Sequence, residues 1–250
     1  MPLYESESLV LKSYNLAEAD RIVVFFTREH GIVRGVAKGA KRLRSKFGST
    51  LEPFSTVHLT YFQKDDRELV SIQEVELVRS CFAEASDPDC LNTFSYIADL
   101  LMAFAPPHDP NETLYRMSQA CLATDSMHAE RLGSIALYFE LWLLRLGGYL
   151  PDWTECNLCK KRFVIDEVSG VHSSFHLSCG ACGKPHRTEE ISALDREVFH
   201  NVQKLSPSAF VKVASNKTDS VAVVSAVMKR IISQVVGHDV TVRKTRVVAF

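Results

Sequence analysis

Two pairs of closely spaced cysteines constrain this chain more than any other feature of its sequence. Each pair has a two-residue spacer, and nineteen residues separate the pairs, whose members are Cys156, Cys159, Cys179 and Cys182. A two-residue spacer lets one turn present two thiolates to a single ion, and two such turns complete a tetrahedron. Because four thiolate ligands leave no open coordination position, the spacing predicts one structural Zn²⁺ and not a metal that activates water.

Other assignments of the cysteines stay open at this point. A nearby histidine could replace one ligand, the candidates being His172, His176 and His186. Disulfides are disfavoured because the N-terminus lacks the basic and apolar segments of an export signal, and seven cysteines is an odd number to pair. The other three lie in or before apolar helical stretches and are interpreted as buried small hydrophobic residues: Cys81, Cys90 and Cys121.

The composition is that of an ordinary globular protein of 250 residues, with 46% hydrophobic and 24% charged residues. This balance excludes a largely disordered chain. The longest apolar candidate for a membrane span ends at Arg145, well short of the roughly 18 residues that a span needs. We therefore expect a cytoplasmic protein with no membrane partner.

Charge is distributed unevenly along the chain, although the net charge is only −1. Six cations and no acids fall within residues 34–46, and we call them the basic cluster: Arg34, Lys38, Lys41, Arg42, Arg44 and Lys46. Residues 81–155 carry 3 Lys and Arg against 11 Asp and Glu. A local field of one sign recruits ligands of the opposite sign whatever the total charge, so the basic cluster is a candidate site for a polyanion.

The first 80 residues have the pattern of short β-strands. Runs of alternating or continuous apolar residues occur at 8–14, 22–27, 32–37, 57–61 and 69–75, separated by turn-forming residues. Five short strands without a long helix between them predict a small closed barrel, because closure removes the exposed strand edges. The longest gap between strands, residues 39–53, holds most of the basic cluster.

The pattern changes to helical spacing after residue 87, with predicted helices at about 91–105, 110–121 and 130–146 and, beyond the cysteines, near 191–205 and 220–236. The chain is thus predicted to be an α+β multidomain protein. A five-stranded OB-like barrel at residues 1–80 precedes a helical domain at 81–250, into which a four-cysteine zinc element at 153–187 is inserted. The residues 81–155 form an acidic helical bundle in this prediction.

The basic cluster does not belong to a nucleotide-binding loop, because residues 35–41 lack the spacing and the Gly-Lys-Ser/Thr ending of a P-loop. Contact with a nucleic-acid backbone is the favoured interpretation, and a merely solvated loop is the alternative.

Aromatic residues occur among the predicted strands, and about half of them must be core: Phe25, Phe26, Phe47, Phe54, Tyr61 and Phe62. A weaker basic patch lies at the C-terminus, in residues 243–246.

No pattern typical of catalysis is present, since the chain has neither GxSxG nor HExxH and its nine histidines are scattered. A binding protein is therefore favoured over an enzyme, and no small-molecule substrate is expected. The rival is a zinc-ribbon protein that binds RNA or regulates transcription. A nuclease with a structural zinc is a third, weaker possibility.

Two segments resemble the RecO family of bacterial recombination mediators. Residues 31–54, with the core Val-Ala-Lys-Gly-Ala-Lys-Arg at 36–42, are similar to the family's N-terminal domain. Residues 139–152, which lead directly into the first cysteine pair, are similar to its helix-to-zinc junction. The order of barrel, helices and zinc element also agrees, so the resemblance covers nearly the whole chain.

The resemblance implies a DNA repair and recombination mediator without catalytic chemistry, associated with the nucleoid. Proteins of this family bind single- and double-stranded DNA, anneal complementary strands, and help RecA replace single-stranded-DNA-binding protein on gapped DNA. The implied protein partners are a RecR-type mediator and single-stranded-DNA-binding protein. Because residues 81–155 would repel DNA, we expect that acidic block to face proteins.

Overall fold

The computed structural model of the chain describes residues 2–64, 67–82, 86–124, 129–164, 166–182 and 189–237. Their contacts divide the chain into two compact units, the first containing the described residues up to 124 and the second those from 129 onward. No helix among the described residues is both long and apolar enough to cross a membrane.

The first unit contains a closed five-stranded barrel, as predicted. Its strands are β1 (Leu3–Leu16), β2 (Asp20–Thr27), β3 (Gly31–Ala37), β4 (Thr56–Phe62) and β5 (Val70–Arg79), paired in the order β1-β2-β3-β5-β4. All pairings are antiparallel except β3 with β5, which is parallel and joins Gly35 to Val70 and Val36 to Ser71. This order confirms the OB-like barrel.

The barrel core follows the period of two that the strands show in the sequence. Alternate residues of the strands point inward, and two residues of the β3–β4 connection complete the core: Val10, Val23, Phe25, Val33, Ala37, Val57, Leu59, Tyr61, Val70, Ile72 and Val75 from the strands, with Phe47 and Leu51. A bulge between Val10 and Lys12 shifts the register of β1 against β2. The strand therefore changes which of its alternate residues face inward.

Two helices of the first unit cover part of the outer barrel surface: α1 (Pro88–Phe104) and α2 (Glu112–Leu122). Asp87 and Asn111 cap them, each accepting backbone N–H bonds from the first turn. The Tyr115 ring of α2 lies 5.7 Å from the ring of Phe26 on β2. Apolar residues that point away from the barrel core are thus buried under helices.

The second unit combines helices with a small sheet. Its helices are α3 (Ala129–Leu146), α4 (Ala193–Lys204), α5 (Pro207–Ala214) and α6 (Thr218–Val236), and its strands β6 (Ser169–Val171), β7 (Leu177–Ser178) and β8 (Glu189–Ile191) form a sheet in the order β7-β6-β8. The helices predicted at 130–146, 191–205 and 220–236 are present. α5 was not predicted from the sequence, although Ser206 caps it and Pro207 occupies its first turn.

The compact units group the two helices α1 and α2 with the barrel. The acidic residues of 81–155 are consequently divided between the two compact units, whereas a single acidic bundle was expected. The predicted domain division at residues 80 and 81, as a statement about independent folding, stays a prediction.

Gly31 at the start of β3 provides a test of how the barrel and the following helices fit together. Its φ is +63°, and an added Cβ would lie 2.5 Å from the backbone oxygen of Asp109, which cannot move aside as a flexible side chain could. We expect Gly31→Ala to lower the free energy of unfolding by about 3 kcal/mol, measured by urea denaturation.

Gly48→Ala is the matched control for this prediction. Its φ is +49°, but no atom lies within 4 Å of the added Cβ, so the variant carries only the conformational penalty. That penalty is about 1 kcal/mol. If both variants lost the same stability, the close approach between β3 and Asp109 would not be the cause.

Candidate nucleic-acid interface and candidate metal centre

The basic cluster begins on the barrel strand β3, and all six of its side chains are exposed. Arg34 is on β3, and the other five cations follow in the connection between β3 and β4. We call residues 38–46 the basic loop. Because β3 is paired with β2 on one side and β5 on the other, the loop begins from a well-fixed position.

Backbone hydrogen bonds hold the first half of the basic loop against the β1–β2 turn. The N–H of Gly39 donates to Asp20 Oδ1 over 2.8 Å, and the N–H of Lys41 donates to the carbonyl of Ala19 over 2.9 Å. The second half is fixed by Phe47 and Leu51, each 1% exposed within the barrel core. The loop is therefore held on both sides, which presents its cations in a defined arrangement.

Four cations of the basic cluster form no ion pair within the described part of the chain: Lys38, Lys41, Arg42 and Arg44. Arg34 lies 3.5 Å from the carboxylate of Glu68, in a pair exposed to solvent and thus of little strength. The Lys46 ammonium donates to the carbonyl of Gln73 and lies 5.0 Å from the Phe47 ring centroid. The four cations without a carboxylate partner are available to an external anion.

The predicted aromatic residues are mostly unavailable for contact with a ligand. Five of the six are at most 3% exposed, and only Phe62 is partly exposed; the buried ones are Phe25, Phe26, Phe47, Phe54 and Tyr61. More than half are therefore core, because helices cover outward-facing positions as well. The Phe54 ring, for example, lies 5.5 Å from the Phe94 ring of α1.

An aromatic residue that the sequence analysis did not single out is exposed instead. Tyr14 on β1 is 49% exposed and pairs with Ile22 on β2, which in turn pairs with Val36 on β3. These three residues form one cross-strand row on the outer face of β1, β2 and β3, with Arg34 two positions from Val36 on the same face. We call this row the outer-face row.

The outer face of β1, β4 and β5 carries the opposite charge. Two cross-strand rows occur there, Glu7–His58–Glu76 and Glu5–Thr60–Glu74. Four carboxylates thus lie on the outer face of these three strands. The first unit presents a polyanion with one favourable and one unfavourable face.

In the second unit the four paired cysteines come together. Their Sγ atoms all lie within 4.8 Å of one another, and the Sγ atoms of Cys159 and Cys179 are 3.8 Å apart. A tetrahedron with metal–sulfur bonds of about 2.3 Å has sulfur–sulfur edges of about 3.8 Å. The four cysteines can therefore hold one metal ion.

Local hydrogen bonds shape the two cysteine turns. The N–H of Cys179 donates to the Cys156 thiol over 3.3 Å, and the N–H of Lys160 donates to the Cys156 carbonyl over 2.9 Å. Burial raises the pKa of the Cys156 thiol, but backbone N–H groups of Cys159, Cys179 and Leu158 outweigh this and lower the pKa to about 6. This turn thus favours a thiolate, the form that binds metals.

The fourth thiol has the opposite tendency. The neighbouring thiols of Cys179 and Cys159 raise the pKa of Cys182 to about 12. Four thiolates at these distances repel one another, so full ionisation of the cluster requires a bound cation. The donor set and the electrostatics both fit a divalent metal with sulfur ligands.

The other sulfur and imidazole candidates lie outside this cluster. Among the described residues, the metal-ligating group contains neither His172 nor His176. His186 lies outside the described residues, as do residues 243–246 of the C-terminal basic patch. The remaining cysteines are buried, as interpreted, and burial raises the pKa of the Cys121 thiol to about 12.

The cysteine turns pack on α4. The Trp153 ring, fully buried, stacks on the Phe199 ring at a centroid distance of 4.3 Å, and its Nε1–H donates to the carbonyl of Phe175. Arg196, only 6% exposed, donates to the carbonyls of Glu167 and Val164 over 2.6 and 3.0 Å. These contacts join the segment around the cysteines to the helical core of the second unit.

Comparison with known protein families covers both units. Residues 1–81 match the family model described as "Recombination protein O N terminal", and residues 85–243 match the one described as "Recombination protein O C terminal". The curated relatives include two proteins named DNA repair protein RecO. That of Koribacter versatilis is 33% identical over 68% of each chain, and that of Syntrophotalea carbinolica is 32% identical over 71% of this chain and 68% of its own.

Proposed function

The chain belongs to the RecO family of DNA repair proteins, and on that premise we propose that it is a recombination mediator that binds DNA through its basic loop. In this role it binds single- and double-stranded DNA, anneals complementary strands, and helps load RecA on gapped DNA coated by single-stranded-DNA-binding protein. The observation that carries the DNA contact is the set of four exposed cations without a carboxylate partner: Lys38, Lys41, Arg42 and Arg44.

Binding through these cations is independent of base sequence. Lysine and arginine side chains on the loop neutralise phosphates and release their condensed counterions, which makes the affinity salt-dependent. Annealing follows from the same contact, because the main electrostatic barrier to pairing two strands is the repulsion between their phosphates. A loop that neutralises several phosphates lowers that barrier.

Tyr14 is the base-stacking residue in this proposal. It is the exposed aromatic member of the outer-face row, next to the basic loop, and the row continues with the partly exposed apolar side chains of Ile22 and Val36. Stacking on an aromatic ring tolerates every base, as a mediator that acts on any sequence requires.

One structural Zn²⁺ occupies the cysteine cluster in this proposal, with Cys156, Cys159, Cys179 and Cys182 as its ligands. When bound, the ion neutralises the four thiolates and supplies no reactive coordination position. The protein side chains around it keep the ligands in place, since Trp153 and Arg196 connect the cysteine turns to α4. The protein thus acts by binding, without catalytic chemistry of its own.

The protein partners are a RecR-type mediator and single-stranded-DNA-binding protein, and the protein is cytoplasmic and associated with the nucleoid. The carboxylates of residues 81–155 face these proteins in the proposal, because they repel DNA. Family membership supports this assignment.

The first prediction concerns the slope of DNA affinity against salt. Changing Lys38, Lys41, Arg42 and Arg44 together to alanine should reduce the slope of log K against log salt by about 3 units, at about 0.7 per lost phosphate contact. Fluorescence anisotropy of a labelled single strand over a series of salt concentrations measures this.

The control removes two exposed cations from the second unit, Lys204 and Lys212, and should leave the slope unchanged within about one contact. An equal loss of slope per cation in both variants would reject the basic loop as the interface.

Competition between DNA and RNA of the same sequence distinguishes the DNA mediator from the rival RNA-binding protein. A clear preference for RNA would contradict a DNA mediator.

The second prediction concerns stacking. Tyr14→Ala should raise the Kd for single strands by about 5- to 150-fold, the equivalent of one lost base stack, with no change in the salt slope. Tyr14→Phe should bind normally because the ring is retained. Tyr149→Ala, which removes a tyrosine that is 51% exposed in the second unit, is the control. Unaltered affinity of Tyr14→Ala would remove this residue from the interface.

The third prediction concerns the metal. Cys179→Ser should lose the ion and lower the melting temperature of the protein, because structural zinc sites contribute roughly 10–16 kcal/mol of binding free energy in zinc-finger peptides. Metal analysis and thermal melting measure both effects. Cys121→Ala, at a buried cysteine outside the cluster, should keep one zinc per chain. Unchanged metal content and melting in Cys179→Ser would refute the zinc assignment.

A further inference from the structure

Leu43 is the most exposed of the large hydrophobic side chains in the described part of the chain. Its relative exposure is 103%, compared with 67% for the next, Phe82. Single exposed leucines are ordinary on protein surfaces and need no explanation by themselves. Leu43 differs because of where it lies, at the tip of the basic loop between Arg42 and Arg44.

A hydrogen-bonded turn presents this side chain. The N–H of Ser45 donates to the carbonyl of Arg42 over 2.9 Å, which places Leu43 and Arg44 at the two central positions of the turn. The preceding turn is closed in the same way, by the N–H of Arg42 and the carbonyl of Gly39 at 3.1 Å. Leu43 therefore extends into solvent from consecutive hydrogen-bonded turns.

The side chains on both sides of Leu43 determine what it can meet. Lys41, Arg42 and Arg44 are exposed and form no ion pair among the described residues, so a polyanion is the ligand that their charge favours. Once phosphates contact these cations, the bases of the same strand lie within reach of the turn. Insertion of an aliphatic side chain between bases lowers the free energy, because its apolar surface is removed from water.

We propose that Leu43 is a wedge that inserts between adjacent bases of the strand whose phosphates contact the basic loop. This inference rests on the proposed function, because it requires DNA at the loop. Apolar wedges of this kind interrupt base stacking locally in DNA-bending proteins. Here the interruption leaves the neighbouring bases unstacked and their pairing edges accessible, which suits a protein that anneals strands.

The experiment uses the full chain and a single DNA strand that contains the base analogue 2-aminopurine. The fluorescence of 2-aminopurine rises when it is no longer stacked on its neighbouring bases. The wild-type protein should raise this fluorescence on binding, and Leu43→Ala should lose the rise. The affinity of Leu43→Ala should fall by less than about tenfold, because the cost of unstacking offsets much of the apolar gain. Its salt slope should equal that of the wild type.

Two further variants sharpen the interpretation. Leu43→Met keeps an aliphatic side chain of similar length and should restore the fluorescence rise. Leu77→Ala removes the same atoms from a leucine on β5 that is 44% exposed, and should behave as the wild type. Since Leu43 makes no core contact, loss of folding is not expected to complicate the Leu43→Ala result.

The outcomes separate this inference from the proposed function. If the wild-type protein binds DNA with the expected salt slope but Leu43→Ala raises the fluorescence as the wild type does, the wedge is rejected and DNA binding stands. If the wild type does not bind DNA at all, the proposed function fails. If vesicles of anionic phospholipid bind the wild type and not Leu43→Ala while the DNA fluorescence is the same for both, Leu43 is a membrane-contact residue and the wedge is overturned.

Discussion

The burial of Phe47 and Leu51 in the barrel core is the interaction on which the arrangement of the basic loop depends. Both residues belong to the connection between β3 and β4, yet each is only 1% exposed. A connection that merely crossed solvent would leave its cations in many positions, and their entropy would oppose any ordered contact. Because the connection also completes the barrel core, most of that ordering takes place when the barrel folds. Leu43 and the cations on either side of it then lie in consecutive hydrogen-bonded turns.

The cysteine cluster solves a different physical problem in the second unit. Val171 and Leu177 are the buried aliphatic side chains among the described residues from 154 to 182, and the strands there are only two or three residues long. Such short strands are marginal without a further constraint. In the proposed function, four sulfur ligands around one cation supply that constraint at the turns, and the stacking of Trp153 on Phe199 adds an apolar contact with α4. The segment consequently has both a polar and an apolar connection to its unit.

Patterns with a fixed period or spacing were predictable from the sequence, whereas exposure was not. Alternation located the five strands, and the two-residue spacers located the four cysteines that the structure brings together. The alternation predicts that Phe25 and Phe26 point to opposite faces of β2. It does not predict that Tyr115 covers Phe26. The exposure of Tyr14 and Leu43 was unpredictable for the same reason, because it depends on whether a distant part of the chain packs against them. The buried carboxylate of Glu140, which accepts from Ser225 Oγ over 2.7 Å, also depends on a residue far away in sequence.

The distribution of charge on the barrel explains how a chain with a net charge of −1 can favour one approach of DNA. The six cations are concentrated in residues 34–46, while the rows Glu7–His58–Glu76 and Glu5–Thr60–Glu74 lie on β1, β4 and β5. With a screening length of about 8 Å at physiological salt, a bound phosphate responds to the nearest charges and not to the sum over the molecule. In the proposed function, a DNA strand at the basic loop therefore meets cations, and displacement along β4 or β5 brings it to carboxylates. These carboxylates then limit how far the proposed DNA strand can wrap around the barrel.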